Sequence, residues 1–262
     1  MDYVIVAACA LFVSGLTLFS GFGLGTLLMP VFALFFPVEA AVAATAVVHG
    51  ANNVLKAVVL GRHAEWSIVL RFGLPAVLAA FVGAALLGVV SGFAPIAEYQ
   101  IGPRRAVVTP IKLLMGVLMV VFALFELLPR LRRLEFDRRL LTVGGLLSGF
   151  FGGLSGHQGA LRSAFLAKLR ITTEGFVGTN AVIGLIVDLA RLSVYGLIFL
   201  GAGADGLFEG RLGRLVITGI AAAFLGVAVA RPLVPKVTMS AVQTLTGVLL
   251  LGIAAALGTG VI

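Results

Sequence analysis

Charge is what this chain has least of. Only 11% of its 262 residues are Asp, Glu, Lys or Arg, against roughly 25% in soluble domains. No stretch is polar enough to form a soluble domain or a disordered tail. Cysteine is nearly absent as well. The single Cys9 excludes an internal disulfide and any multi-cysteine metal site, and within its apolar run it reads as a small packed hydrophobe. Nothing matches G-x-x-x-x-G-K-[ST], which argues against direct nucleotide hydrolysis, and nothing matches H-E-x-x-H. The three histidines, His49, His63 and His157, are too dispersed to suggest a metal cluster. The start, Met1-Asp2-Tyr3, lacks the positive region of a secretory signal, so residues 3–20 are expected to form a mature helix.

What is present is apolar. Hydrophobic residues make up 60% of the chain and the mean hydropathy is +1.16. A membrane span needs roughly 20 apolar residues. The qualifying runs are about 3–20, 40–61, 66–90, 106–128, 175–200, 213–230 and 237–257, with shorter ones at 22–36, 140–151 and 158–170. These define an all-α polytopic membrane protein. The formal net charge of +8 would suggest nucleic acid in a soluble chain. Here the basic residues gather in short connections, where they orient the chain in a bilayer.

A glycine motif occurs twice. Ser20-Gly21-Phe22-Gly23-Leu24-Gly25-Thr26 interrupts one apolar stretch, and Gly152-Gly153-Leu154-Ser155-Gly156-His157-Gln158-Gly159 interrupts another. Glycine this dense breaks a membrane helix, and the freed backbone groups must then find protein or a wet cavity. Broken helices in matching halves point to a transporter's substrate site. A shift of 134 positions pairs Ser14-Gly15 with Ser148-Gly149, Gly25 with Gly159, Thr45 with Thr179 and Gly50 with Gly184. With altered loop lengths, Gly83 matches Gly226 and Gly116 matches Gly247. The expected organisation is a first repeat, 1–130, with a broken-helix hairpin at 3–36 and three spans. A basic linker, 131–139, precedes a second repeat, 140–262, with a hairpin at 140–170 and three spans.

Hairpins, rather than single crossings, place Arg62, Arg130, Arg132, Arg133, Arg138, Arg139, Lys168, Arg170, Arg231 and Lys236 on one side. The other side receives Asp2, Glu39, Glu98, Asp205 and Glu209, with Arg104, Arg105, Arg211 and Arg214. The positive-inside rule then makes the basic side cytoplasmic, sets both termini outside and inverts the second repeat relative to the first.

Two kinds of group suit an anion at mid-membrane. Half-helices starting near Leu24 and Gln158 would point their N–H groups and positive dipole ends at the centre. Gly23, Gly25, Gly156 and Gly159 would let a ligand approach the backbone; the competing reading is tight helix crossing. Among side chains, His49, Asn52, Asn53 and Lys56 share a helix face by i, i+3, i+4, i+7 spacing, with Lys56 able to snorkel to the surface. The later helix carries Thr179, Asn180, Asp188 and Arg191, and the second break carries His157, Gln158 and Arg162. Polar residues this deep usually face a cavity. Substrate-binding candidates are therefore Gly23, Gly25, His49, Asn53, Gly156, His157, Gln158, Arg162 and Asn180. Proton-coupling candidates are His157, His49 and Asp188. The asparagines can instead bond neighbouring helices, Asp188 can simply pair with Arg191, and Arg162 can anchor at the boundary. His63 falls in a surface loop, and Ser155 two residues from His157 is not by itself a catalytic geometry.

The duplicated glycine break, Met29-Pro30 after the first copy and the Ala-rich helix with Thr45 resemble the TauE/SafE family. The likeness covers essentially the whole chain in layout. The second copy departs from the family pattern, with Ala164 where proline would stand. The resemblance implies a secondary transporter in the bacterial inner membrane that exports a small sulfur-containing anion, sulfite or an organosulfonate. With no nucleotide-binding motif in the chain, protons or the membrane potential would drive it, and no cofactor is expected. No enzyme activity and no nucleic-acid partner are expected, and a scaffold this small is compatible with a homodimer. The alternatives are an anion-selective channel and a membrane-embedded enzyme or assembly factor.

Overall fold

The computed structural model describes the chain apart from residues 21–22, 133, 167–168, 170, 202–209 and 234–238, with the backbone alone described at 18–20, 104, 199–201, 230–233, 239 and 241–242. Expectations for Arg133, Lys168, Arg170, Lys236, Asp205, Glu209 and Gly21-Phe22, and for the side chains of Arg104 and Arg231, lie outside the described residues.

Helices dominate, because long apolar runs satisfy their backbone groups internally. In order they are α1 (Asp2–Ser20), α2 (Leu24–Ala33) and α3 (Val38–Leu60). Then α4 (Trp66–Ile68) runs through a π-helical turn, Val69–Gly73, into α5 (Leu74–Ser91). After a hairpin come α6 (Pro110–Leu127), α7 (Pro129–Arg132), α8 (Leu141–Ser155), α9 (Gly159–Leu166), α10 (Thr173–Gly201), α11 (Gly210–Leu233) and α12 (Met239–Gly258). Five helices among the described residues are long and apolar enough to cross a membrane, and shorter apolar ones accompany them. The molecule is an all-α multi-pass membrane protein.

One expected span is corrected. The apolar run 106–128 is not helical throughout. Residues Arg104–Val108 form strand β2, antiparallel to β1 (Ala97–Ile101) with Tyr99 opposite Ala106. Val107 and Val108 are β-branched, and Pro110 disfavours helix in the residue before it. α6 therefore starts at Pro110, capped by Thr109, whose side chain accepts from the Lys112 N–H at 3.3 Å. The hairpin receives the chain's end, with Val107 N–H donating to Gly260 O at 3.0 Å and the Tyr99 hydroxyl donating to Thr259 O. Across the strands Arg105 hydrogen-bonds Glu98, which raises the guanidinium pKa further.

Glycine sets the helix crossings. A Cβ on Gly145, Gly149 or Gly153 of α8 would land 2.0–2.2 Å from the carbonyl oxygens of Phe72, Ala76 and Ala80. Two ladders of four-residue spacing thus lie backbone against backbone, as small residues permit in membranes. Reciprocally, Gly83 of α5 meets Phe150 O, and Gly226 of α11 meets Leu11 O of α1. Gly116 of α6 faces Ala254 O of α12, while Gly247 of α12 faces Ala123 O of α6. The principal pairings are accordingly α5 with α8, α1 with α11, α6 with α12 and α3 with α10. Buried apolar residues form one cluster through α6 and α12 and two flanking ones, around α1–α2–α11 and α5–α8–α9.

Candidate functional site

The polar core lies where α3 crosses α10. Gly50 of α3 leaves room for the Cβ of Asp188, and Gly184 of α10 leaves room for Asn53, whose Nδ2 would sit 2.6 Å from a Cβ there. Along α10, Asn180, Gly184, Asp188, Arg191 and Tyr195 recur at helical spacing and form one stripe. His49, Asn53 and Lys56 of α3 form the other.

Asp188, fully buried, is the hub. Its Oδ2 accepts from His49 Nδ1 at 2.7 Å and Asn53 Nδ2 at 2.9 Å. Its Oδ1 accepts from Arg191 Nε and Nη2 at 3.0 and 2.7 Å and from Gln158 Nε2 at 3.1 Å. Five donors converge on a group with about four lone-pair sites. That environment holds a carboxylate as an anion, and it favours the ion-pair reading of Asp188 over a proton carrier. A carboxylate only accepts, so His49 carries its proton on Nδ1. Arg191 also reaches Gly152 O at 3.2 Å.

The second helix break feeds this hub. α8 ends at Gly156, whose φ of 81° is left-handed and open to glycine at little cost, and whose N–H closes on Gly152 O. The turn delivers Gln158 inward, where its Nε2 holds Asp188 and its Oε1 accepts from Arg162 Nη1 at 3.1 Å. Arg162, one turn into α9 and 1% exposed, donates its Nε to Asn180 Oδ1 at 2.7 Å. Its hydrogen-bond partners among the described residues are thus neutral amides. Lys56 is the same. It does not snorkel but lies buried, donating to Thr17 Oγ1 at 2.6 Å, within electrostatic reach of Arg162. Two buried guanidiniums, Arg162 and Arg191, share one buried carboxylate, Asp188, which is bonded to Arg191 alone of the two. An uncompensated charge in such a place costs several kcal/mol, so the arrangement is complementary to an anion.

The first break arrives at the same point. A Cβ on Gly25, in the first turn of α2, would stand 2.9 Å from Gly156 O and 3.7 Å from His49 Cδ2. The two breaks therefore touch beside His49. The first intrahelical bonds are Leu27 N to Gly23 O and Arg162 N to Gln158 O. The N–H groups before them, in both half-helices, have no acceptor within the helix.

The family model for the sulfite exporter TauE/SafE family matches residues 3–257. The chain belongs to this family. No curated protein and no solved structure matches it significantly. A TauE/SafE chain with these helices is a membrane transporter of the sulfur-anion exporter type.

Of the residues expected at a site in this TauE/SafE chain, the structure brings together Gly25, His49, Asn53, Gly156, Gln158, Arg162, Asn180 and Asp188. Gly23 caps α2 with a φ of 125° and faces Thr17 and Val13 rather than the polar core. His157 is turned away by the left-handed Gly156. Its ring stacks on Phe122 of α6 at 4.9 Å, and its Nδ1 lies 3.1 Å from both Ser155 O and Ser155 Oγ. A carbonyl only accepts, so Nδ1 carries the proton and cannot act as base toward Ser155. The Ser155 hydroxyl donates to Phe151 O at 3.0 Å, which gives a bonding pattern unlike that of an activated nucleophile. Thr179 accepts from the Glu65 N–H, and Thr45 donates to Ala41 O within its own helix. The buried Oδ1 of Asn52 has no hydrogen-bond partner among the described residues.

Three contributors escaped sequence reasoning. Tyr195 donates to Gly153 O beside Arg191, and Gly184 opens the space for Asn53. Glu126, 2% exposed in α6, was masked by its nearness to the basic linker. The rule that flags intramembrane ionisable residues applies to it equally.

Proposed function

We propose that this TauE/SafE protein exports sulfite or a similarly small sulfur oxyanion by alternating access. The anion would sit between the starts of α2 and α9, beside His49 and Arg162. The supporting observation is the surplus of buried positive charge where two broken helices touch. Arg162 and the free N–H groups of both half-helices supply charge-assisted donors, stronger away from water than in it. Asp188 balances Arg191 and keeps the surplus small enough for the anion to leave. Gln158 and Asn180 orient Arg162 without neutralising it.

The two halves are read as inverted repeats, 1–130 and 140–262. Helix pairings support this. α3 meets its counterpart α10, α6 meets α12 through Gly116 and Gly247, and α5 packs on α8 as α11 packs on α1. One half rocking against the other would then open the midpoint to each side in turn. The basic end of the molecule, with Arg62, Arg130, Arg132, Arg138 and Arg139, is assigned to the cytoplasm. At the opposite end Asp2 pairs with Arg211 and Glu98 with Arg105, which offsets the cations there. With that orientation the negative-inside potential favours anion exit, and proton entry can add to it.

The test is sulfite flux in proteoliposomes. Saturable flux above empty liposomes, reduced at least tenfold in Arg162→Gln, is expected. Absence of flux for sulfite, sulfonates and sulfate would end the proposal. Flux that never saturates would replace the carrier with a channel.

A further inference from the structure

Lys56 is a buried amine that the Asp188 hub does not use. The residue is 6% exposed, and its Nζ donates to Thr17 Oγ1 at 2.6 Å, a neutral hydroxyl. An ammonium has three protons to donate. Among the described residues no carboxylate takes one of them, because the donors on Asp188 come from His49, Asn53, Gln158 and Arg191. A lysine stem is long enough to carry its charge to water from near a helix end, and this one instead turns inward.

Two sets of contacts place that amine. Thr17 is the residue that Gly23 faces, since a Cβ on Gly23 would stand 3.5 Å from Thr17 Cγ2. Gly23 caps the start of α2, so Lys56 is held beside the first break. Arg162 has the matching position at the second break, one turn into α9. The crossing of α3 and α10 brings the two to one level. Gly50 lies against Asp188, Gly184 against Asn53 and Gly178 against Leu60 O, a register that sets Asn180 beside the turn of α3 beginning at Lys56. Arg162 Nε bonds Asn180, and its Nη1 would lie 3.4 Å from a Cβ on Gly184. Both cations thus sit on the same side of the hub, within electrostatic reach of each other. Both are bonded to neutral groups, Thr17 for one, Asn180 and Gln158 for the other.

We infer that Lys56 and Arg162 are the paired cations of one anion site, one at the start of each half-helix, and that together they select a doubly charged oxyanion over a singly charged one. The inference rests on the transport reading above and names the charge class of its substrate. Asp188 is already balanced by Arg191, so a monoanion between the half-helices would leave one of the two remaining charges buried without a counter-ion. A dianion meets both, and the half-helix N–H groups take its remaining oxygen lone pairs. Sulfite as SO3 2− and sulfate fit that description. Methanesulfonate, with three oxygens on sulfur but a single charge, does not, and neither does chloride. Lys56 is on this reading a specificity-determining residue that the sequence alone would send to the membrane surface.

The experiment measures displacement of radiolabelled sulfite from purified wild type, Lys56→Met and Lys56→Arg by sulfate and by methanesulfonate. Mildly alkaline buffer keeps the sulfite doubly charged. The ratio of the two competitors' potencies is read on protein that binds, so a loss of folded material does not move it. Wild type is expected to favour sulfate over methanesulfonate at least tenfold. Lys56→Met should lower that ratio at least tenfold, and Lys56→Arg should hold it within about threefold. An unchanged ratio in Lys56→Met overturns the inference. Lys56→Met protein that melts like the parent but binds no sulfite supports the pair if Lys56→Arg binds it, and overturns the pair if Lys56→Arg does not. If wild type binds sulfite and does not distinguish the competitors, the paired-cation reading falls and the transporter stands. If wild type binds no sulfite, the transport reading falls first and takes this one with it.

Discussion

The two helix breaks carry the same glycine signature and do different work. The break between α1 and α2 contributes backbone. Leu24, Gly25, Thr26 and Leu27 line it, and its contact with the other break is Gly25 against Gly156 O. The break between α8 and α9 contributes charge and its scaffolding, with Gln158 bridging Asp188 to Arg162 and His157 directed at Phe122. The two breaks meet through backbone, and the side-chain chemistry lies in the second. Substitutions that separate backbone access from charge should therefore act differently at the two breaks.

The largest effect is expected at the hub. Asp188→Asn leaves Arg191 buried without its counter-ion, a change of the kind that costs about 3–5 kcal/mol. Thermal unfolding in detergent should register it as the most destabilised variant of the set, with transport lost as well. Next comes Arg162→Gln, which removes the cation held only by amides. Its flux should fall by about a hundredfold, in the range expected for losing one or two charge-assisted bonds. Its melting temperature should hold or rise, because a buried charge without a carboxylate is gone.

Glycine substitutions sharpen the contrast. Gly149→Ala forces a methyl toward Ala76 O, where a Cβ would stand 2.0 Å away, and overpacking of this kind costs about 1–3 kcal/mol. Flux per folded molecule should stay near wild type. Gly25→Ala meets a looser neighbour, Gly156 O at 2.9 Å, yet crowds the place where the breaks touch. Stability should change less than for Gly149→Ala while flux falls about tenfold. Equal behaviour of the two variants in paired melting and flux assays would erase the distinction. The smallest effect belongs to Arg105→Gln on the exposed hairpin, where surface ion pairs contribute little. Neither melting nor flux should change measurably.

Much of this was legible in the sequence, for physical reasons that also mark where legibility ends. Apolar run length located the spans, because lipid demands about 20 residues and tolerates few charges. It failed at 106–108, where β-branched residues before a proline look apolar but fold as a strand. The i, i+3, i+4, i+7 spacing placed His49, Asn53 and Lys56 on one face. Asp188, the partner of His49 and Asn53, lies 139 positions from His49, and no local pattern announces such a pairing. The glycine run of the second motif was legible as a break. That Gly145, Gly149 and Gly153 serve a backbone contact with α5, leaving Gly156 to make the turn, depends on a helix some 70 residues earlier. His157 lies at the second break, yet its partner is equally hidden from local pattern. The left-handed Gly156 between α8 and α9 sends His157 to Phe122 and Gln158 to Asp188.

The central claim is that buried positive charge at the meeting of the breaks binds a sulfur oxyanion. Titration of sulfite into the purified protein and into Arg162→Gln, with chloride as the competing anion, tests it most directly. Saturable binding of one sulfite per chain, weakened at least tenfold in Arg162→Gln and not displaced by equimolar chloride, is the predicted result. Undiminished binding in Arg162→Gln would contradict the account, because the site would then lie elsewhere in the molecule.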